Sequence, residues 1–185
     1  MSKVEFDISG STAKPRPDVA QLSLRECALL AAKVADSKKA TDIMVQHVGE
    51  IISATEYFVI VTAANNRQVK AIVDEIEEQL EKQAGETPLH RETTQDLSWE
   101  LLDYGGYVVH VFQPETREFY RLEALWNEAP VIDLAAEAGL DDIQYSDRIA
   151  KLLEDVKAAR DDMSAEEQDA AEAEEAAETP ETESE

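Results

Sequence analysis

The sequence predicts an α/β or α+β domain in which a mixed sheet of about five strands packs against flanking helices. The nearly continuous apolar run from Tyr57 to Val61 indicates a strand that is buried on both faces. The segment "NNRQVKAIVDEIEEQLEKQAG" follows almost at once and carries apolar residues at helical spacing. Two further strand-like runs, "WELLDYG" and "YVVHVF", are joined at Gly105 and Gly106, a pair suited to a tight hairpin turn.

The first helix is predicted within "SLRECALLAAKVADSKKA", where Ser23 and Glu26 form a capping-box pair. Cys27 is the only cysteine of the chain and lies on the apolar face, so we expect a small core residue rather than a nucleophile. The apolar residues that repeat at helical spacing are Leu24, Cys27, Ala28, Ala31, Val34 and Ala35.

Two strands, a second helix and an edge strand follow along the chain. The runs "DIMVQHV" and "EYFVIVTAA" are rich in β-branched and aromatic residues, which is typical of strands. Asn65 or Asn66 is expected to cap the second helix, and Gly85 suits its C-terminal end. One face of that helix is formed by Val69, Ile72, Val73, Ile76 and Leu80. Pro88 argues against a central position for "ETPLHRET", which is therefore predicted to be a short edge strand.

The net charge of −24 is distributed unevenly over the 185 residues. Residues 1–22 carry three basic and three acidic side chains, residues 23–134 carry ten and twenty, and residues 135–185 carry four and eighteen. Nucleic-acid backbones are bound by clustered Lys and Arg, so we expect this acidic surface to repel free nucleic acid. A basic protein partner is the natural complement.

Composition divides the chain into four regions. Residues 164–185 contain ten acidic and no basic side chains, which is typical of a disordered tail. Before this tail, a helix is predicted after a cap at Ser146 because one helical face gathers Ile149, Leu152, Leu153 and Val156. The predicted regions are a flexible arm at 1–22, a folded domain at 23–134, a linker with an amphipathic helix at 135–163, and the acidic tail at 164–185.

Signals for membranes, secretion and metals are missing from the sequence. No stretch near Met1 resembles a secretion signal, and no apolar run approaches the roughly 18 residues that span a bilayer. One cysteine and three scattered histidines form no cluster at metal-ligand spacing. We therefore expect a cytoplasmic protein that has no membrane segment and binds no metal or cofactor.

Aromatic residues concentrate between Ser98 and Trp126, a stretch that holds both tryptophans and three of the five tyrosines. Strand alternation places Trp99 and Asp103 on one face and Tyr104 on the other. Across the hairpin, His110 is expected to come close to Asp103 and Tyr104. For Trp99, Tyr104 and Trp126, a place in the core and a place in a protein interface fit the pattern equally well.

The remaining residues of this stretch have a simpler structural interpretation. Phe112 and Phe119 are predicted to fill the core, and Arg117 and Glu123 to be surface charges if the stretch has only a structural role. Asn65, Asn66 and Arg67 are adequately explained as a helix cap beside a solvated charge.

Three blocks of sequence, taken in order, resemble the ribosomal silencing factors, the Iojap-related family of bacteria and organelles. They are "TDIMVQHV", "ATEYFVIVTAANNRQVKAIVDEI" and "WELLDYGGYVVHVFQPETREFYRLEALW", within residues 23–134. The last block is the most specific, since it places Trp99, Asp103-Tyr104-Gly105, Val109-His110-Val111-Phe112, Arg117, Tyr120, Leu122-Glu123 and Leu125-Trp126 at the family's spacing. The chain departs from the family at Gly106, where many members have an acidic residue.

The resemblance implies a sheet domain related in shape to nucleotidyltransferases and a function without catalysis. It implies docking on the large ribosomal subunit, mainly on its ribosomal protein number fourteen, and obstruction of small-subunit joining when nutrients are short. It also implies that free chains form homodimers. The expected partner-binding residues are Trp99, Asp103, Tyr104, His110, Arg117, Tyr120, Glu123 and Trp126.

A metal-dependent nucleotidyltransferase-like enzyme is the alternative. That chemistry needs closely spaced carboxylates to hold divalent cations against a nucleoside triphosphate. Glu56 stands alone before the strand "YFVIVT", where such a pair would be expected. The sequence therefore favours the binding protein over the enzyme.

Overall fold

A five-stranded sheet forms the centre of the structure, a computed structural model that describes residues 21–159 and 161–162. The strands are β1 (Thr41–His47), β2 (Tyr57–Thr62), β3 (His90–Thr93), β4 (Trp99–Asp103) and β5 (Tyr107–Phe112). Their order in the sheet is β1-β2-β5-β4-β3. The predicted acidic tail and all but residues 21 and 22 of the predicted arm lie outside the described residues.

Six helices accompany the sheet within the described residues. They are α1 (Leu24–Ser37), α2 (Asn66–Ala84), α3 (Pro114–Tyr120), α4 (Leu122–Leu125), α5 (Leu134–Ala138) and α6 (147–159). The element order from α1 to β5 is helix, two strands, helix and three strands, as predicted. The mixed sheet with flanking helices is thereby confirmed.

Strand pairing explains the apolar run in the middle of the chain. β2 pairs in parallel with β5 and antiparallel with β1, so it lies inside the sheet, and all six of its residues are buried. β4 continues the sheet antiparallel to β5 through the predicted hairpin, in which Gly105 adopts φ +81°. That left-handed conformation favours glycine because it has no Cβ.

Local sequence signals set the ends of the two long helices. Ser23 and Glu26 form the predicted capping box at the start of α1. At the start of α2, the side chain of Asn65 accepts a hydrogen bond from the backbone N–H of Gln68, at 3.0 Å. Gly85 ends α2 in the left-handed conformation. Both helices pack on one face of the sheet, where their apolar stripes bury Cys27 as expected.

The opposite face of the sheet is only partly covered. The short helices α3 and α4 cross it near β1, where the Nε2 group of Gln46 donates to the carbonyl oxygens of Glu123 and Trp126. Arg121 separates the two helices in a left-handed conformation with φ +46°. The side of this face formed by β4 and β3 lies beyond these helices.

Beyond Leu134 the chain continues to pack against the sheet domain. Arg25 of α1 forms an ion pair with Glu137 of α5, at 2.6 Å. The hydroxyl of Tyr145 donates to the carbonyl oxygen of Ile43 in β1, at 3.1 Å, and Ile149 of α6 is fully buried. The folded region therefore extends past the boundary predicted at Leu134, through the first turn of the predicted helix.

Substitution of Asn65 tests whether its side chain stabilises the N-terminus of α2. Asn65→Ala removes the acceptor of the Gln68 N–H and is expected to lower the free energy of unfolding by about 1 kcal/mol. Urea denaturation measures this loss, and Asn65→Asp is the matched control because aspartate caps equally well. Equal stability of the alanine variant and the wild type would contradict the account.

Candidate functional site

The second sheet face carries several large apolar side chains that remain partly exposed. We call this group the aromatic face and define it as Trp99, Leu101, Val108, Tyr120 and Trp126. Trp99 lies at its centre, with its ring 4.9 Å from the rings of both Phe112 and Tyr120. Stacking on the sheet fixes the orientation of these rings before any partner binds.

A shallow groove of about 180 Å³ runs along the aromatic face. Its lining consists of Glu92, Thr93, Thr94, Trp99, Leu101 and Tyr120. Tyr120 is 50% exposed, and its neighbour Phe119 is 80% exposed. The prediction that Phe119 fills the core is thus wrong, because its position on the short helix α3 points it away from the sheet. The core prediction for Phe112 is confirmed.

His110 lies beneath Trp99 and is buried. The indole Nε1–H of Trp99 donates to His110 Nδ1 at 3.4 Å, and the rings of Phe58 and Phe112 pack against the imidazole. Burial, together with the positive charge of Arg117, lowers the pKa of His110 from 6.5 to about 3. The imidazole is therefore neutral at physiological pH and supports Trp99 from below.

The cross-strand neighbour predicted for His110 differs from the observed one. Leu101 stands opposite His110, whereas Asp103 stands opposite Val108, so the expected network of Asp103, Tyr104 and His110 does not form. Asp103 therefore lies two positions along β4 from Leu101, the residue that faces His110. Asp103 is half-buried, and its Oδ1 accepts the backbone N–H of Gly105 at 2.7 Å, which stabilises the turn.

Tyr104 does not lie on the aromatic face. It follows β4 on the side that packs against the helices, where its ring stacks on that of Tyr107 with centroids 4.7 Å apart. Burial raises the pKa of the Tyr104 hydroxyl. Strand alternation in the sequence correctly assigned Tyr104 and Trp99 to opposite faces of the sheet. The resemblance, in contrast, implied that both residues bind the partner.

Arg117 and Glu123 are buried rather than surface charges, with residue exposures of 1% and 0%. Arg117 Nη1 donates to the carbonyl oxygen of Asp42 at 2.5 Å and to Thr62 Oγ1 at 2.9 Å, and Arg117 Nε lies 3.5 Å from Glu123 Oε2. Burial lowers the pKa of Arg117, and the nearby Glu123 carboxylate opposes that change. These two charges hold α3 and α4 onto β1 and β2.

The structure thus separates the eight predicted partner-binding residues. Trp99, Tyr120 and Trp126 belong to the aromatic face, and Asp103 is half-buried at its hairpin end. The buried ones are His110 beneath Trp99, Arg117 and Glu123 between the short helices and strands β1 and β2, and Tyr104 on the opposite face. Leu101 and Val108 also belong to the aromatic face but were not among the predicted residues, although Leu101 alternates with Trp99 along β4.

Removal of the buried guanidinium tests its structural role. Arg117→Met keeps most of the side-chain volume but leaves Glu123 less well paired, and is expected to lower the free energy of unfolding by about 3 kcal/mol or more. Arg121→Met is the matched control, because Arg121 pairs with Glu118 at the surface and its loss should cost less than about 1 kcal/mol. Similar urea midpoints for the two variants would contradict the assignment.

The buried imidazole predicts a pH dependence of stability. Because the pKa of His110 is depressed by folding, the unfolded chain takes up its proton first as pH falls below 6.5, and stability is lost down to pH about 3. His110 should contribute a loss of about 1.5 kcal/mol between pH 6.5 and pH 5. In urea titrations, His110→Gln should remove this contribution. If His110→Gln lost stability between pH 6.5 and pH 5 as steeply as the wild type, this prediction would be contradicted.

The described part of the chain contains neither a metal-binding cluster nor a membrane-spanning helix. Among residues 21–159 and 161–162, no three His, Cys, Asp or Glu side chains are grouped so that they could hold a metal ion. No helix in this part of the chain is both long and apolar enough to cross a membrane.

Comparison with known proteins gives concordant results. Residues 21–183 match the family model described as ribosomal silencing factor during starvation. A ribosomal silencing factor from Bacillus subtilis is 37% identical over 105 residues, which are 57% of this chain and 88% of that protein. The chloroplastic Iojap protein of maize is 38% identical over 130 residues, or 69% of this chain, and the match spans only 56% of the maize protein's length.

Solved structures agree with these sequence matches. A crystal structure of a Chromobacterium violaceum protein is 31% identical, with a TM-score of 0.54, over 57% of this chain and 87% of that one. A Bacillus halodurans structure, also 31% identical, gives a TM-score of 0.52 over 60% of this chain and 99% of that one. The family match covers most of the chain, so the chain belongs to the ribosomal silencing factor family.

Proposed function

We propose that this protein represses translation by docking its aromatic face on the large ribosomal subunit and obstructing the joining of the small subunit. The supporting observation is the stacked, partly exposed pair of Trp99 and Tyr120 on a rigid sheet, in a chain of the ribosomal silencing factor family. The proposed contact on the subunit is ribosomal protein number fourteen, as the resemblance implies. The proposed setting is the cytoplasm under nutrient limitation.

The aromatic face has the composition of a protein-binding site. Tyr and Trp are enriched among the residues that contribute most to binding, because they bury a large area and lose little conformational entropy. Trp99 is already held by His110 and Phe112, so little further ordering is needed when a partner covers it. Phe119 and Tyr120 project from α3 beside it and extend the apolar surface.

Charge supports a basic partner for this surface. Glu92 lines the groove, within a chain of net charge −24. Complementary charge speeds association with a basic protein and orients the encounter, while the buried aromatic contacts determine how long the complex lasts. We therefore expect association to slow as salt is added, with a smaller effect on dissociation.

A binding function also fits the chemistry of the aromatic face. Its members are apolar or aromatic, and the nearest titratable ring, His110, is buried and neutral with Nδ1 occupied by Trp99. A general base must reach the proton that it removes, and His110 is covered by the very residue that faces the partner. We propose accordingly that the protein acts by steric obstruction and needs no cofactor.

Sedimentation of purified subunits tests the proposal. Large and small subunits are mixed with the full chain at a magnesium concentration that permits joining, and the gradient is analysed for joined particles. We expect the protein to travel with the large subunit and the joined peak to fall. Protein that stays at the top of the gradient, with joining unchanged, would overturn the proposed function.

Substitution of Tyr120 tests the contribution of the aromatic face. Tyr120→Ala should weaken binding to the large subunit by about 2 kcal/mol, close to thirtyfold in Kd, if this ring is a central contact. Ile51→Ala is the matched control, since Ile51 is an exposed apolar residue in the loop between β1 and β2. The measurement is a binding titration with labelled protein, and equal Kd values for the two variants would exclude Tyr120.

A further inference from the structure

The segment that leads into α6 contacts the same short helices that carry part of the aromatic face. We propose that residues 144–149, here called the C-terminal clasp, hold α3 and α4 in the orientation that docking requires, with Arg148 as the positioning residue. This inference rests on the proposed function, because the effect on docking presupposes that the aromatic face binds the large subunit.

One end of the clasp is tied to the start of β1. The backbone N–H of Asp42 donates to the carbonyl oxygen of Gln144 at 2.8 Å, and Asp42 Oδ1 accepts the N–H of Ser146 at 2.6 Å. Asp42 adopts φ +50° at an irregularity in the β1–β2 pairing, which turns its backbone out of the regular ladder. The hydroxyl of Tyr145 adds a bond to Ile43. The clasp therefore starts from a fixed point on the sheet.

The other end of the clasp bridges the two short helices. Arg148 Nε lies 2.5 Å from Glu118 Oε2 in α3, and Arg148 Nη1 lies 2.6 Å from Glu123 Oε1 in α4. Between these two carboxylates the chain turns at Arg121 in its left-handed conformation. One guanidinium thus pairs with a carboxylate on each side of the joint between α3 and α4.

Both aromatic contributors from this region lie next to the joint. Tyr120 is the last residue of α3, and Trp126 directly follows α4. With seven and four residues, these helices are too short to be stable without tertiary contacts. Without Arg148, the carboxylate of Glu123 keeps only the longer contact to Arg117. Loss of the bridge should therefore loosen the segment that positions Tyr120 and Trp126.

Two substitutions that change the charge equally test the clasp in the full chain. Arg148→Ala removes both ion pairs, and Lys151→Ala removes an exposed cation one turn further along α6. The long-range electrostatic change is the same in both variants, so their difference reports the bridge. We expect Arg148→Ala to bind the large subunit about fivefold more weakly than Lys151→Ala, and Arg148→Lys to recover part of that loss.

Hydrogen exchange of the free variants separates positioning from general destabilisation. In Arg148→Ala, amides of residues 114–126 should exchange at least several-fold faster, while amides of β2 and β5 keep wild-type rates. Equal exchange in the wild type and Arg148→Ala, or faster exchange throughout the sheet, would overturn the proposal, as would equal Kd values for Arg148→Ala and Lys151→Ala. If the wild type does not bind the large subunit, the proposed function fails. Hydrogen exchange at residues 114–126 of the free protein then still decides whether Arg148 holds α3 and α4.

Discussion

The buried guanidinium of Arg117 is the contact on which the second face of the sheet depends. It joins the carbonyl oxygen of Asp42 in β1, the hydroxyl of Thr62 in β2 and the carboxylate of Glu123 in α4. A buried charge is costly unless it is paired and hydrogen-bonded, so this arrangement tolerates few other orientations of α3 and α4. The position of these helices decides which part of the sheet is covered and which part forms the aromatic face.

That partial covering links the fold to the proposed docking. Helices α1 and α2 bury one face of the sheet apart from the exposed edge strand β3, whereas α3 and α4 protect the other face only near β1. Trp99 then lies at the border between core and surface, supported by His110 and Phe112. A rigid aromatic surface of this kind offers buried area to a partner at a low entropic cost.

Elements with strong local signals were predictable from the sequence. The cap of α2, predicted at Asn65 or Asn66 and found at Asn65, the left-handed Gly85 and the hairpin at Gly105 all depend on neighbours in sequence. Strand alternation also assigned Trp99 and Tyr104 to opposite faces.

Long-range contacts were not predictable in the same way. The pairing of Arg117 with Asp42 and Thr62 joins residues 75 and 55 positions apart, so the pattern around Arg117 resembled that of a surface charge. Phe119 was assigned to the core because its hydrophobicity, but not the orientation of α3, is visible in the sequence. The packing of residues beyond Leu134 depends on similar distant contacts to β1.

Hydroxyl-radical footprinting of the protein on the large subunit tests the central claim most directly, because it reports which side chains a partner covers. The account predicts that oxidation of Trp99, Phe119 and Tyr120 falls on binding, whereas oxidation of the exposed Leu24 and Ile51 is unchanged. Protection of Leu24 or Ile51, with Tyr120 oxidised as readily as in the free protein, would place the docking surface elsewhere and contradict the account.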